Sequence, residues 1–324
     1  MSTTTPARPA PAARLTPAFD AARLAGELAR VTEHQWERQR THYAADRIGP
    51  DTPTDWRVLP LRNPGGDATR TDPGGPGPDD YAATHWLQQL PYLREILDSI
   101  PAPLNAVRLL ALGPAAASQP HCDPKYTLAR GMVRLHIPIV THPGAVLVLD
   151  GTEHRWQPGE FWYGDFSREH LVRNTGPVRR VHAVIDTLLT RELAGLFPEP
   201  WQEELAAADV LFNQQPVPAR QLPAVLPISL ILPSGFMDFG HDTPLEGPST
   251  TVRLTERGDG LVLQSGDHRF ALTPVADGEY RYTGWSEQRT LQLRGDHVVV
   301  HARHGRALTS QHIPFPAPSS RAGA

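Results

Sequence analysis

The sequence has almost no cysteine and almost no lysine. Its single cysteine, Cys122, excludes an intramolecular disulfide and is typical of a protein from a reducing compartment. Lys125 is the only lysine among 31 basic residues, and all the others are arginine. The chain lacks a basic run and has a formal net charge of -4, so we do not expect nucleic acid as a partner.

Long apolar segments are also missing. No stretch approaches the roughly 18 apolar residues of a membrane span. The first residues, MSTTTPARPAPAARLTPAF, lack the apolar core of a signal peptide. We therefore expect a cytoplasmic protein without a membrane partner. The hydrophobic fraction of 40% is that of a globular chain, and 324 residues are enough for about two domains.

Composition divides the chain into four parts. Residues 1–17 are rich in Pro, Ala and Thr and are predicted to form a disordered tail. Residues 18–212 are predicted to form the main domain. Residues 213–249 are rich in proline and are predicted to be a linker. Residues 250–316 contain about six short alternating runs with turns such as SGD, DGE and RGD, which predicts a small β-domain.

The main domain changes its pattern near residue 104. Before that point, near-helical spacing of apolar residues predicts one helix within residues 18–46 and another around residues 90–100. From about 104 to 190, short β-rich runs alternate with Gly and Pro, among them AVRLLAL, GMVRLHIPIV and RRVHAVID. This pattern predicts a mainly β fold, an antiparallel barrel or a double-sheet jelly roll. A further helical stretch, broken at its prolines, is expected over residues 191–212.

Three side chains of metal-binding type stand out in this β-rich part. His121 and Asp123 flank Cys122, and His170 lies in a later run. In an extended chain alternate side chains point the same way, so His121 and Asp123 would share one face. Two imidazoles and one carboxylate form the facial triad that leaves positions on iron(II) open for a cosubstrate and O2. Zinc is the alternative metal, although its catalytic sites more often have three tetrahedral ligands and a water.

Two further runs carry cationic groups on a single face. Alternation in RRVHAVID places Arg180, His182 and Asp186 together, and alternation in GMVRLHIPIV places Arg134 and His136 together, opposite the apolar residues. A guanidinium can bind a carboxylate through two parallel hydrogen bonds. A dicarboxylate such as 2-oxoglutarate needs donors at both ends, and Arg180, Arg134 and His136 can provide them.

At these residues the sequence resembles the aspartyl/asparaginyl β-hydroxylase family, which includes bacterial proline hydroxylases of the cis-4 type. The resemblance runs from Arg108 to Asp186 through VRLLALGP, HCDPKY, VRLHIPIV, PGEFWYGDFSREHLVRN and RRVHAVID. A looser match extends upstream to Trp56. Residues beyond about 215 lie outside it.

The resemblance implies a double-stranded β-helix and hydroxylation of an amino-acid carbon that depends on iron(II) and 2-oxoglutarate and releases succinate and CO2. It implies that the iron ligands are His121, Asp123 and His170. It implies that the cosubstrate is held by Arg180 at its distal carboxylate, with help from Arg134 and His136. Some vertebrate-type members lack the carboxylate ligand, so Asp123 makes this chain more similar to the bacterial members. Leu110 stands where some members have a hydroxyl-bearing residue that contacts the cosubstrate.

Other functions and several substrates stay open at this point. A cupin-type metal protein is one alternative, although HCDPKY does not match the first cupin motif and a cupin has no need of Arg180. A non-catalytic binding protein, with the C-terminal β-domain recruiting a partner, is another. The substrate is expected to be a free amino acid such as proline, an Asp or Asn residue of a peptide, or an aminoacyl group on a carrier protein. Lys125, near the rim, is interpreted as a solvated lysine or as a contact to a substrate carboxylate.

Overall fold

The computed structural model describes residues 9–44, 47–51, 54–218, 226–240, 243–258 and 260–316. The helices are α1 (Ala21–Thr32), α2 (Pro91–Ser99), α3 (Arg191–Ala194) and α4 (Glu199–Ala207), and short 3-10 segments span His85–Gln89, Leu128–Arg130 and Ser234–Met237. Within the described ranges, none of these helices has the length and apolar character that crossing a bilayer requires.

The strands, in chain order, are β1 (Ala12–Ala18), β2 (Glu37–Arg38), β3 (Arg40–Ala44), β4 (Arg47–Asp51), β5 (Trp56–Pro64), β6 (Tyr81–Ala83), β7 (Leu104–Leu112), β8 (Met132–Val140), β9 (Ala145–Leu149), β10 (Thr152–His154), β11 (Glu160–Gly164), β12 (His170–Asn174), β13 (Arg180–Leu188), β14 (Ile228–Pro233), β15 (Ser249–Arg257), β16 (Gly260–Ser265), β17 (His268–Ala276), β18 (Glu279–Tyr282), β19 (Arg289–Leu293), β20 (His297–His304) and β21 (Ala307–Pro314).

Strands β7 to β13 form a double-stranded β-helix, and this confirms the predicted fold class. The larger sheet has the order β1-β11-β8-β13-β7-β5-β2, and the smaller has the order β10-β9-β12. Antiparallel bridges from Ala117 to Arg173 and from His121 to His170 add a fourth segment to the smaller sheet. From β7 to β13 the chain therefore passes back and forth between the two sheets, which is the connectivity of a jelly roll.

The two faces of the larger sheet differ in chemistry because side chains alternate along each strand. One face is apolar and packs in a single core with α1, α2 and the α3–α4 region; its residues on β8 and β13 are Val133, Leu135, Ile137, Ile139, Val181, Ala183 and Ile185. The other face carries the polar residues Arg134, His136, Arg180, His182 and Asp186, with Val184 among them. The apolar face anchors the sheet, and the polar face is available for chemistry.

A buried glutamate connects the two N-terminal helices. Helix α2 has no side-chain cap of its own at Leu90. Instead the Glu27 carboxylate, from α1, accepts the backbone N–H of Tyr92 at 2.7 Å and that of Leu93 at 3.0 Å. These are among the N–H groups that helix geometry leaves without a partner at an N-terminus. Glu27 thus holds α1 and α2 together on the larger sheet.

We expect Glu27→Ala to lower the free energy of unfolding by about 1–3 kcal/mol, because it leaves two backbone donors near the core without an acceptor. Urea unfolding followed by circular dichroism measures this change. Glu33→Ala, at an exposed position just after α1, is the matched control and should be near neutral. Equal stability of the two variants would contradict the role of Glu27.

Two N-terminal predictions differ from the structure. The prediction of a disordered tail over residues 1–17 is wrong for residues 12–17, because β1 pairs with β11 and buries Ala13 and Leu15. Residues 1–8 lie outside the described residues. The helix expected within residues 18–46 ends at Thr32. Trp36 follows the helix and donates its indole N–H to the Val31 carbonyl at 2.9 Å. Trp36 is therefore buried beside α1 without being part of the helix, although its spacing in the sequence fits a helix.

The C-terminal region is one antiparallel sheet with strands in the sequential order β14 to β21. The six runs predicted within residues 250–316 are all strands, and β14 and β21 add two more. Strand β14 lies inside the segment predicted to be a linker, where Ile228, Leu230 and Leu232 alternate inward. The apolar side of this sheet packs in one cluster with Tyr126 and Met132 of the jelly roll. The two sheet systems are therefore in contact.

Candidate active site

The two sheets bring His121, Asp123 and His170 together. His121 and His170 exchange backbone hydrogen bonds of 3.0 and 2.9 Å across the smaller sheet, and their ring centroids lie 4.2 Å apart. Asp123 follows in a turn, where its N–H donates to the Phe166 carbonyl at 2.8 Å. One ligand atom from each of the three side chains lies within 4.8 Å of the others. They converge through a single bridge and a turn, rather than through the regular strand that we expected.

Backbone carbonyls set the tautomers of both imidazoles. His121 Nδ1 lies 2.8 Å from the Gln119 carbonyl oxygen, and His170 Nδ1 lies 2.9 Å from the Arg168 carbonyl oxygen. A carbonyl oxygen only accepts, so each Nδ1 carries the hydrogen and each Nε2 keeps a lone pair for a metal. Burial lowers the pKa of His170 to about 4. The neutral, metal-binding form of His170 is therefore the form present at neutral pH.

A buried chain of charges fixes the carboxylate of Asp123. Arg134 Nη1 donates to Asp123 Oδ2 at 2.5 Å, and Arg134 Nε donates to Asp186 Oδ1 at 2.6 Å. Arg108 Nη2 donates to Asp186 Oδ2 at 3.1 Å. Burial alone would raise the pKa of Asp123, yet Arg134 and the neighbouring imidazoles hold it below its ordinary value. Asp123 is therefore ionised, and the oxygen that Arg134 leaves free can bind a cation.

Asp186→Asn is expected to lower the free energy of unfolding at neutral pH by about 3 kcal/mol or more, because Arg108 and Arg134 would lose a buried counter-charge. Burial would raise the pKa of Asp186, but Arg134 and Arg108 hold it far below the ordinary value. Because the pKa of Asp186 is lower in the folded protein than in the unfolded chain, its ionised carboxylate stabilises the folded state at every pH above the unfolded-state pKa of about 4. This stabilisation is lost as the pH falls from about 4 toward the folded-state pKa. The difference between wild type and variant in urea unfolding should therefore shrink below about pH 4; a constant difference would contradict this account.

Next to the metal-binding group, beyond the Phe166 ring, lies a cluster of buried polar groups, called here the anion pocket, that have no acidic partner among the described residues. Arg180 is 5% exposed, and within the described part of the chain no carboxylate forms an ion pair with its guanidinium. Burial lowers the pKa of Arg180 to about 9. Both ring nitrogens of His136 and the indole Nε1 of Trp156 are also buried without hydrogen bonds to the described residues. Unpaired buried donors are costly, so this pocket is chemically suited to an anion.

His182 adds a donor to the same pocket. Arg180 Nη2 lies 3.0 Å from His182 Nδ1, and because a guanidinium only donates, Nδ1 is the acceptor. Burial, followed by the charge of Arg180, lowers the pKa of His182 well below its ordinary value, so the ring is neutral with its hydrogen on Nε2. That Nε2 is buried and has no partner among the described residues. His182 pairs in register with Leu110, so it lies where the family's hydroxyl-bearing residue is missing.

The residues fit iron(II) and 2-oxoglutarate. Two imidazoles and one carboxylate are the donor set of a non-haem iron site with open positions. The Arg180 guanidinium, which has no carboxylate partner among the described residues, is suited to bind the distal carboxylate of a dicarboxylate held at such a site. A surface cavity of about 620 Å³ lies elsewhere, between Arg191 and Arg306. None of the residues that line this cavity has an unpaired buried polar atom, so it offers no comparable site.

The residues predicted from the sequence lie in three places. His121, Asp123 and His170 come together as a group that could hold a metal ion, Arg180 and His136 lie in the buried polar cluster, and Arg134 connects Asp123 to Asp186. Sequence reasoning missed the roles of Asp186, His182 and Trp156. Asp186 and His182 were recognisable as sharing the face of Arg180, whereas nothing in the local pattern pointed to Trp156.

A jelly roll with this ligand set and anion pocket is a 2-oxoglutarate-dependent iron oxygenase. The family model described as aspartyl/asparaginyl beta-hydroxylase matches residues 19–189, more than half of the 324 residues. The chain belongs to this family, as its resemblance predicted, and it is an enzyme of the 2-oxoglutarate-dependent oxygenase class. No curated protein matches the chain.

Solved structures with similarity to the chain share little sequence with it. A 2OG-Fe(II) oxygenase family oxidoreductase from Burkholderia pseudomallei is 11% identical; the match covers 52% of this chain and 77% of that one, with a TM-score of 0.34. A prolyl hydroxylase from Trichoplax adhaerens, in complex with a hypoxia inducible factor peptide fragment, is 9% identical, with coverages of 52% and 77% and a TM-score of 0.34. The viral collagen prolyl hydroxylase of Paramecium Bursaria Chlorella virus-1 is 9% identical, with coverages of 55% and 96% and a TM-score of 0.33.

Proposed function

We propose that the protein hydroxylates a carbon atom of an amino acid, either free, within a peptide as Asp or Asn, or attached to a carrier protein. The proposed iron ligands are His121, Asp123 and His170. The proposed cosubstrate contacts are Arg180 and His136, with His182 as an added donor. A direct contact from Arg134 to the cosubstrate stays a prediction. In the structure each of the three guanidinium nitrogens of Arg134 donates to Asp123 or Asp186.

One observation carries the proposal: the buried Arg180 guanidinium, which has no counter-anion among the described residues, lies on the same face of the larger sheet as Arg134, and Arg134 binds Asp123 of the metal-binding group. Arg180 offers planar paired donors, which match the geometry of a carboxylate. A cupin that binds only a metal has no need of such a group. The cost of burying Arg180 is offset when an anionic cosubstrate binds beside it.

When bound, iron(II) and 2-oxoglutarate would supply an oxidative decarboxylation with O2, in which one oxygen atom of O2 enters the substrate, the other enters succinate, and CO2 is released. The chain's own residues hold and orient these partners. Arg180 and His182 fix one end of the cosubstrate. Arg134 restrains one oxygen of Asp123, so the other oxygen is presented to the metal. Trp156 and Phe166 pack against His136, with ring centroids at 5.4 and 4.9 Å, and all three side chains are buried.

Mass spectrometry of reaction mixtures tests the proposal. Purified protein with iron(II), 2-oxoglutarate and O2 is offered free amino acids, Asp- and Asn-containing peptides and carrier-bound amino acids. We expect a product heavier by one oxygen atom, with 2-oxoglutarate consumed alongside it. Samples without iron(II) are the control. Absence of both product and 2-oxoglutarate consumption across all three substrate classes would overturn the proposed function.

A further inference from the structure

The loop between β5 and β6, residues 65–80, lies between the jelly roll and the C-terminal sheet. The Ala271 N–H, from β17, donates to the Gly77 carbonyl at 2.8 Å. The chain after β18 passes close to the loop: a Cβ added at Gly284 would lie 2.7 Å from Tyr81 Cε2 and 2.8 Å from the Gly75 carbonyl oxygen. The C-terminal sheet therefore fixes the position of this loop.

The same loop reaches the metal-binding group through Lys125. Lys125 Nζ donates to the Gly74 carbonyl at 3.3 Å, a long hydrogen bond that uses one of its three donors. The ammonium lies 4.9 Å from the centre of the Tyr126 ring, and the guanidinium of Arg134 lies 4.1 Å from the same ring. Lys125 thus stands beside the residues that hold Asp123, and its side chain is only partly exposed.

Among the described residues near the metal-binding group, Lys125 is, like Arg180, a cation without a carboxylate in ion-pair contact. Arg134 binds Asp123 and Asp186, and Arg108 also binds Asp186. In the described residues, no carboxylate lies within ion-pair distance of Lys125 Nζ, and the contact to Gly74 is its one hydrogen bond. A partly exposed ammonium with unused donors beside a metal-binding group is suited to an anionic group of a ligand.

We propose that Lys125 binds a carboxylate of the substrate, and that the C-terminal sheet, through the 65–80 loop, holds this ammonium in place. The proposal rests on the proposed function, because it takes the iron site as the place of reaction. The carboxylate comes either from the α-carboxyl group of a free amino acid or from the side chain of an aspartate in a peptide. The Lys125 ammonium contacts the same Tyr126 ring as the Arg134 guanidinium, which binds Asp123, so a carboxylate on Lys125 would lie beside the metal-binding group.

Anaerobic titrations of the protein loaded with iron(II) and 2-oxoglutarate test Lys125. The probes are the twenty free L-amino acids, their α-amides, and the peptides acetyl-Gly-Asp-Gly-amide and acetyl-Gly-Asn-Gly-amide. We expect at least one carboxylate-bearing probe to bind with a Kd about tenfold or more below that of its uncharged counterpart. Preference for a free amino acid over its amide identifies the α-carboxylate, and preference for the Asp peptide over the Asn peptide identifies the side chain.

Two substitutions at Lys125 separate charge from shape. Lys125→Met is expected to erase the preference, and Lys125→Arg is expected to keep most of it. The Kd for 2-oxoglutarate should change much less than the Kd for the probe, because Arg180 and not Lys125 lies in the cosubstrate pocket. If no carboxylate-bearing probe binds, or if Lys125→Met binds the preferred probe as the wild type does, the proposal is overturned.

A matched pair of glycine variants tests the contribution of the C-terminal sheet. Gly284→Ala adds a methyl group that collides with the 65–80 loop, whereas Gly266→Ala adds one at a similar positive φ with nothing within 4 Å. We expect Gly284→Ala to raise the Kd of the preferred probe several-fold and Gly266→Ala to leave it unchanged. Thermal unfolding of both variants separates a folding defect from a binding defect. Equal probe affinity of the two folded variants would overturn the role of the sheet.

The same samples distinguish this proposal from the proposed function. If the wild type fails to bind iron(II) or 2-oxoglutarate, the proposed function is wrong. If the wild type binds both but shows no preference for carboxylate-bearing probes, only the role of Lys125 is wrong.

Discussion

The His170→Ala variant is expected to lose iron(II) binding at micromolar metal and, with it, all oxygen-dependent consumption of 2-oxoglutarate. His170 is 6% exposed, and its Nε2 is free for a metal because its Nδ1 hydrogen is bound by the Arg168 carbonyl. Removing it leaves one imidazole and one carboxylate, of which Asp123 is already partly neutralised by Arg134. Such a pair cannot form a facial triad.

Iron titration followed by tryptophan fluorescence, together with succinate assays, measures both losses. His268→Ala is the control, because His268 is an exposed residue of the C-terminal strand β17. Circular dichroism of both variants establishes that they are folded. Iron(II) affinity in His170→Ala equal to that of the control would remove His170 from the metal site.

The second large effect is expected at Arg180. Arg180→Met should raise the Kd for 2-oxoglutarate by about tenfold to a hundredfold, which is the scale of a lost charge-assisted contact to a carboxylate. The neighbouring Arg179→Met is a closely matched control. The Arg179 side chain is 49% exposed and lies 3.6 Å from Asp55 in a surface ion pair, so its removal should leave the Kd unchanged.

Thermal unfolding adds a second measurement on the same two variants. Without 2-oxoglutarate, Arg180→Met should be at least as stable as the wild type, because it removes a buried charge that lacks a counter-ion. Added 2-oxoglutarate should raise the Tm of the wild type and of Arg179→Met but hardly that of Arg180→Met. Equal Tm increases in all three proteins would exclude Arg180 from the cosubstrate site.

Alternation along strands made much of this architecture predictable. The period of two in GMVRLHIPIV and RRVHAVID separates the apolar face of the larger sheet from the face that carries Arg134, His136 and Arg180. The family resemblance then indicated the metal ligands. Strand β1 was not predictable in this way, because its sequence is rich in Pro and Ala and its order comes from pairing with β11.

Side-chain partners across strands could not be read from the sequence. Arg134 stands directly opposite Asp186 in the pairing of β8 with β13, and this register depends on turns far from either residue. Through the contacts that result, Arg134 binds both Asp186 and Asp123, a role that the sequence did not predict for it. In the same way, the sequence could not show that Lys125 has no carboxylate partner among the described residues, because Asp123 and Asp186 both pair with Arg134.

The most direct test of the central claim is the fate of labelled oxygen. Wild-type protein is incubated with iron(II), 2-oxoglutarate and ¹⁸O2, and succinate is analysed by mass spectrometry. If oxidative decarboxylation takes place at the site formed by His121, Asp123 and His170, the wild type produces succinate that carries one ¹⁸O atom. The His170→Ala variant then produces no succinate. Unlabelled succinate, or no succinate from a protein that holds iron(II), would contradict the assignment of a 2-oxoglutarate-dependent oxygenase.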